Sequence, residues 1–273
     1  AIGRLALQDQ NYGTSTDAFN VAVGFEAGKS VTTGIRNTLI GSGAGDAITD
    51  ADNNVAVGAD ALGTNVLGTA NIAIGRFALG TMNPATASET YNTAVGADAG
   101  GAVTTGIRNA LVGGLAADAV TTGAYNSVLG FGALTAETSG SASTAVGYLA
   151  LAAQNTQTTN YNTAVGYEAG NDITTGVDNT LIGAAAGAAL QDADYNVVVG
   201  RAALDSDTLG SRSTAIGYAA LQNQNFTTAT DTYNTALGFH AGYALTTGLY
   251  NTFVGGLAGD AVTTGNYGTA VGK

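Results

Sequence analysis

A five-residue pattern returns along the whole 273-residue chain: Asn, a small or β-branched residue, a small apolar residue, Val/Ile/Leu, then Gly. It closes at Gly24, Gly41, Gly58, Gly75, Gly96, Gly113, Gly130 and Gly147, then at Gly166, Gly183, Gly200, Gly217, Gly238, Gly255 and Gly272. A truncated AIG ending at Gly3 makes sixteen. The period is about 17 residues. Longer steps follow Gly3, Gly75, Gly147 and Gly217. Four coils thus form a super-repeat, and the fourth carries the longer loop (residues 81–90, 152–160 and 222–232). A fixed period of this size marks an array in which each unit packs on its neighbours. The chain is predicted to be all-β: one repeat array over residues 1–273, a parallel β-solenoid of 16 coils of about 17 residues. At about 4.8 Å per coil this is a rod on the order of 75 Å long. Beginning and ending inside repeats, it reads as a stretch of a longer protein.

With the signature Gly as position 0, position −1 is Val, Ile or Leu in every coil, and is read as core. Position +3 is always Ala, where only a methyl fits. A second Gly at +10, as in VTTG at 31–34, 103–106 and 120–123, suits a turn needing positive φ. Two coils of each super-repeat have an apolar residue at +7 (Val31, Ile48, Val103, Val120, Ile173, Leu190, Leu245, Val262) with Gly or Ala at +4. The others have Leu at +4 (Leu62, Leu79, Leu134, Leu151, Leu204, Leu221), and the third coil is polar at +7 (Asn65, Glu137, Asp207). One side chain of similar volume fills a narrow core from either place.

Strand residues alternate between faces. If −1 and −3 point inward, −2 points outward, yet −2 is never polar. A strand apolar on both faces is covered on both. The −2 row is therefore read as an oligomer interface, represented by Ala22, Leu39, Ala94, Leu111, Val128, Leu181, Val198 and Phe253. Identical chains around one axis are the simplest cover.

Only 10% of residues are charged, and the formal net charge of −12 disfavours nucleic acid and anionic membrane surfaces. No apolar run reaches the roughly 18 residues of a membrane span, so no membrane insertion is expected in this segment. Zero Cys excludes disulfides and thiolate metal sites.

The signatures NTAVG, NTLIG and NVAVG resemble the coil motif of the YadA-like heads of trimeric autotransporter adhesins. Longer stretches such as NTAVGYEAGNDITTG at 162–176 resemble repeats of bacteriophage tail fibres. The resemblance covers the whole chain. It implies a left-handed parallel β-roll, a homotrimer, intertwined or side by side, and contact with a host or surface. The coil here is longer than the head repeat of those adhesins.

The Asn column (Asn20, Asn37, Asn54 and onward) is read as a stacked amide ladder rather than a binding ladder. Aromatics flank the signature: Phe19, Tyr91, Tyr125, Tyr161, Tyr195, Tyr233, Tyr250 and Tyr267 before it, and Phe25, Phe131, Tyr148, Tyr167, Tyr218 and Phe239 after it. They are expected to pack along the coil edge and between chains; the seven tyrosines before the signature are the candidate surface-contact patch, open to a receptor or glycan. Thr at −3 is read as an inward strand former rather than an ice-binding row. The pairs Asp50/Asp52, Asp192/Asp194 and Asp205/Asp207 are read as solvated loop features, not a catalytic or Ca²⁺-binding pair. His240 stands alone, with no nucleophile motif around it.

The expectation is a structural fibre or adhesin segment, not an enzyme, without cofactor or metal. It belongs to a virion tail fibre first and a bacterial surface adhesin head second. An ice-binding solenoid and a polysaccharide-binding or polysaccharide-degrading tailspike are further alternatives.

Overall fold

The computed structural model describes residues 1–272. The fold is all-β, with no helix among the described residues, and each coil contributes one short parallel strand. The chain divides into two compact units, Ala1–Ser141 and Ala142–Lys273. In the first, the strands Val21–Val23, Thr38–Ile40, Val55–Val57, Ile72–Ile74, Thr93–Val95, Ala110–Val112 and Ser127–Leu129 pair in chain order. In the second, Thr144–Val146, Thr163–Val165, Thr180–Ile182, Val197–Val199, Thr214–Ile216, Thr235–Leu237, Thr252–Val254 and Thr269–Val271 do the same. Register joins equal signature positions: Val23 faces Ile40, and Val165 faces Ile182.

Register is held by the Asn column. The Asn109 backbone N–H donates to Asn92 Oδ1 at 3.0 Å. The Asn109 side-chain amide donates to Asn92 Oδ1 at 3.1 Å and, across its own coil, to Gly123 O at 2.9 Å. In the second unit Asn179 repeats this with Asn162 Oδ1 and Ala193 O. Each amide therefore closes one coil and pins the next, and no buried side-chain N or O among the described residues lacks a partner. Where Ser replaces Asn, a Gln from +7 bridges the gap. Gln224 donates to Ser213 Oγ at 2.8 Å and accepts from Asn234 at 2.8 Å; Gln154 does the same between Ser143 and Asn162.

The signature glycines from Gly3 to Gly255 have φ between 127° and 149°, a region open to Gly. A Cβ on Gly113 would lie 2.4 Å from the Gly130 carbonyl oxygen of the next coil. The +10 glycines are required for a different reason from the predicted one. Gly34, Gly106 and Gly123 are not at positive φ; a Cβ there would meet the next coil's carbonyl at 2.5, 2.4 and 2.3 Å. The left-handed positions are −5, +2 and +4, and side chains such as Tyr195 (φ 59°), Asp98 (φ 58°) and Leu62 (φ 51°) occupy many of them.

The strand faces are the reverse of the expectation. Position −2 points into the coil, and −1 and −3 point outward. Ala22, Leu39, Ala94, Leu111, Val128, Leu181, Val198 and Phe253 are all buried within the single chain and are core, not an oligomer interface. Side chains at −1 are half-buried or exposed, as at Ile40 and Leu129. The cause is volume: the interior is already occupied by the Asn column, the buried alanines at +3 and the side chain from +4 or +7, and only −2 completes it. The glycines at +4 make room for it. A Cβ on Gly28 would lie 2.5 Å from Leu39 Cδ1, one on Gly170 2.6 Å from Leu181 Cδ1, and one on Gly242 2.7 Å from Phe253 Cδ2. The predicted exchange between +4 and +7 holds: both sets are buried, apart from half-buried Val262.

Two of the longer loops add a strand of their own. Ser88–Glu89 pairs with Gly68–Thr69 in the first unit, and Thr230–Asp231 with Gly210–Ser211 in the second. The polar side chains at +7 seat these turns from inside. Asn65 exchanges two bonds with Gly68, at 2.8 Å each. Asp207 accepts from Gly210 N at 3.1 Å and from Phe226 N, within the loop, at 2.9 Å.

Gly113→Ala is expected to cost about 3 kcal/mol or more, combining a forbidden φ with a backbone clash. Gly256→Ala, with nothing within 4 Å of its added Cβ, should stay within about 0.5 kcal/mol. Thermal melts of the two variants check this; equal stabilities would contradict the glycine ladder.

Candidate functional site: the outward strand face and its aromatic columns

Outward residues alternate with buried ones from −5 to +1, so one face of each unit carries four columns. The inner two are −3 and −1. In the first unit they include Val21, Ile40, Ile72, Ile74 and Leu129, all exposed. In the second unit every −3 position except Val197 is Thr, from Thr144 to Thr269, and every −1 position is Val, Ile or Leu. The threonines at −3 are thus outward, not inward as expected from sequence.

The outer columns, −5 and +1, hold the aromatics. Tyr91, Tyr125, Tyr161, Tyr195, Tyr233, Tyr250 and Tyr267 are all exposed. In the second unit Tyr233 stacks on Tyr250 (centroids 5.4 Å) and Tyr250 on Tyr267 (5.0 Å). Arg212 lies between Tyr195 (5.0 Å) and Tyr233 (5.9 Å). In the +1 column Tyr148 stacks on Tyr167, and Arg201, Tyr218 and Phe239 follow one another. In the first unit Arg108 lies over Tyr125 and donates to its hydroxyl at 2.9 Å, and Arg4 lies over Phe25. Tyr91 donates to Glu89 Oε2 at 2.5 Å, and that bond raises the phenol pKa. Rings stacked along a column cover one another's faces, so they present edges and hydroxyls outward, not platforms for a sugar ring.

The arginines were missed by sequence reasoning, although a signal was present. All six, Arg4, Arg36, Arg76, Arg108, Arg201 and Arg212, stand at −5 or +1. They continue the columns where an aromatic is absent. His240 joins the aromatic set as well, stacked on Tyr218 (5.4 Å), Phe239 (4.1 Å) and Tyr243 (4.6 Å).

The carboxylate pairs divide by role. Asp50 accepts from the Thr32 and Thr33 hydroxyls, both at 2.8 Å, and the Thr33 bond, then the Thr32 bond, lower its pKa. Asp52 accepts from Ile35 N at 2.7 Å. In the second unit Asp192 and Asp194 accept likewise from Thr175 and Val177. These acids tie one coil to the next. Asp205 and Asp207 are raised by burial, and Asp207 is fully buried, receiving Gln224 Nε2 at 2.6 Å. Among the described residues no group of three His, Cys, Asp or Glu is arranged to hold a metal ion. Two depressions open on the surface. One, of about 300 Å³, is lined by Phe77, Asp98, Leu115 and Asp118 in the first unit. The other, of about 410 Å³, lies beside loop 222–232 in the second and is lined by Asp192, Asp194, Tyr195, Ser211, Arg212 and Asp231 among others.

The raised Asp207 pKa carries a pH consequence. Its folded-state value lies above the unfolded one, so its contribution is fully present below the ordinary carboxylate pKa and is lost as pH rises through the folded value. Stability should therefore increase as pH falls from 7 to the ordinary carboxylate pKa of about 4. The triple change Asp207→Asn, Ser213→Asn, Gln224→Met installs the residues found at Asn65, Asn71 and Met82 and should weaken that increase. Urea unfolding at the two pH values measures it; identical pH slopes would refute the assignment. In comparisons with known proteins, no family model, no curated protein and no solved structure matches this chain.

Proposed function

We propose that this chain is a structural contact segment, a stretch of fibre or adhesin head assembled from three copies. Its place is a virion tail fibre, with a bacterial cell-surface adhesin as the alternative, and its work is attachment rather than catalysis. The observation that carries this is the outward strand face. In each unit the −3 and −1 columns form a long row of mostly β-branched and aliphatic side chains, half-buried or exposed in a single chain. A row of this length is unusual on a monomer. Tyr, Phe and Arg, residue types enriched at protein interfaces, recur in its flanking columns. Copies meeting through this face would cover the aliphatic columns and leave the coil corners and longer loops outward. Loops on a rigid scaffold tolerate variation, which suits them to carry specificity. The number three and the attachment role come from the resemblance to adhesin heads and tail fibres.

Light scattering after size exclusion tests the assembly. The expected mass is near three times 26.8 kDa, and Ile72→Asp with Val197→Asp, both on exposed outward positions, should reduce it to one chain without unfolding. A single-chain mass for the unaltered protein overturns the reading.

A second reading, ice binding, is favoured by one observation: the threonines at −3 in the second unit face outward in register at the strand spacing of about 4.8 Å. Thermal hysteresis decides it. A freezing-point gap that disappears in Thr180→Tyr and Thr235→Tyr would support ice binding; its absence from the unaltered protein removes it.

A further inference from the structure

We propose that the depression beside loop 222–232 binds a neutral sugar through its vicinal hydroxyls. This rests on reading the chain as a contact segment and names one class of what the segment contacts.

The starting observation is an internal comparison. The same loop scaffold occurs two super-repeats earlier. Asp52 N donates to Thr69 Oγ1 at 3.2 Å, as Asp194 N does to Ser211 Oγ at 3.0 Å. Asp50 and Asp192 both accept from a Thr hydroxyl one coil back, and Asp52 and Asp194 both accept a backbone N–H there. Both loops double back into a short paired strand. Among the residues that line the depression, two differ in chemistry from their counterparts: Tyr195 and Arg212 stand where the earlier scaffold has Asn53 and Ala70. Since that scaffold forms with Asn and Ala, the fold does not require Tyr and Arg at the later one.

Together these two side chains make a fixed donor group. Arg212 is sandwiched by Tyr195 and Tyr233 and ion-paired with Asp231. A guanidinium has five N–H donors in a rigid fork, and a single bond to Asp231 leaves donors unused. Asp192 and Asp194 each engage Oδ1 with the protein, and their second oxygens have no partner among the described residues. Charged donors and charged acceptors thus line one depression of about 410 Å³, a size suited to one or two sugar rings. An anion there meets three carboxylates; a cation meets the guanidinium. A vicinal diol satisfies both, accepting from Arg212 and donating to a carboxylate, through charge-assisted bonds. Recognition runs through hydroxyls, because the Tyr195 face on the Arg212 side is already covered.

Saturation-transfer NMR and calorimetry with D-glucose, D-galactose, D-mannose and N-acetylglucosamine test the site. At least one of the four should bind the unaltered protein. Arg212→Ala should weaken that binding by about tenfold or more, the scale of a lost charge-assisted bond, and Tyr195→Asn, which removes one side of the stack that holds the guanidinium, should weaken it as well, each variant remaining folded. The reciprocal change, Asn53→Tyr with Ala70→Arg, should add a second site per chain. Absence of binding by all four sugars at tens of millimolar, or binding unchanged in both single variants, overturns the site. A trimeric mass without sugar binding removes this site and leaves the proposed function standing; sugar binding by a single chain does the reverse.

Discussion

The rest of the molecule depends on the asparagine at −4. Its side chain bonds in both directions the solenoid needs, across its own coil and along the stack. The backbone outside the strand is a succession of turns with φ alternating in sign, and such short strands alone give few ladder bonds per coil. A buried amide with both ends used adds directional bonds in a low-dielectric interior, where each is strong and an unmade one is costly. That asymmetry fixes register: a slip by one position would strand every amide in the column at once. The Ser–Gln substitution supports this. Where the column loses an Asn at Ser143 and Ser213, a Gln from another part of the same coil takes its place, and the chain of bonds continues.

The architecture was legible because its causes are local and periodic. The signature Gly tolerates no Cβ, and the Ala at +3 has no room for more than a methyl, so both persist in every complete coil and announce the period. The exchange between +4 and +7 was equally open to reading. Inside and outside were not, because hydrophobicity does not distinguish them here. Position −1 is the most uniformly apolar, which invites a core assignment, yet it is the outer face. The decisive signal lay in volumes rather than polarity. Leu39, Leu111, Leu181 and Phe253, the bulkiest side chains at −2, belong to coils with Gly or Ala at +4, and −2 is small where +4 is Leu, apart from Val128 and Val198. Side chains that trade volume share a space, and that space is the interior.

The loops were the least legible part. Their extra residues carry no period, so the turn back into a paired strand, seated by Asn65 or Asp207 from within, leaves no local mark. The arginine columns were hidden differently. A lone Arg in an acidic chain reads as a solubility device, and its membership of an aromatic column appears only when its position in the coil is counted.

The reversal of faces changes what the chain can do. An inward −1 row would have left alanine as the main outward residue, a flat and featureless contact. With −1 and −3 outward, the exposed strip is made mostly of stiff β-branched side chains, which lose little rotamer freedom on being covered. On either side stand rings and guanidinium groups already ordered by stacking on one another. Ordering that is complete before association is not charged against the contact when it forms. A narrow core and a preorganised outer face therefore have one origin: so short a coil has room among its alanines and amides for only a few large side chains, from −2, +4 or +7, and the apolar side chains at −1 and −3 stand outward.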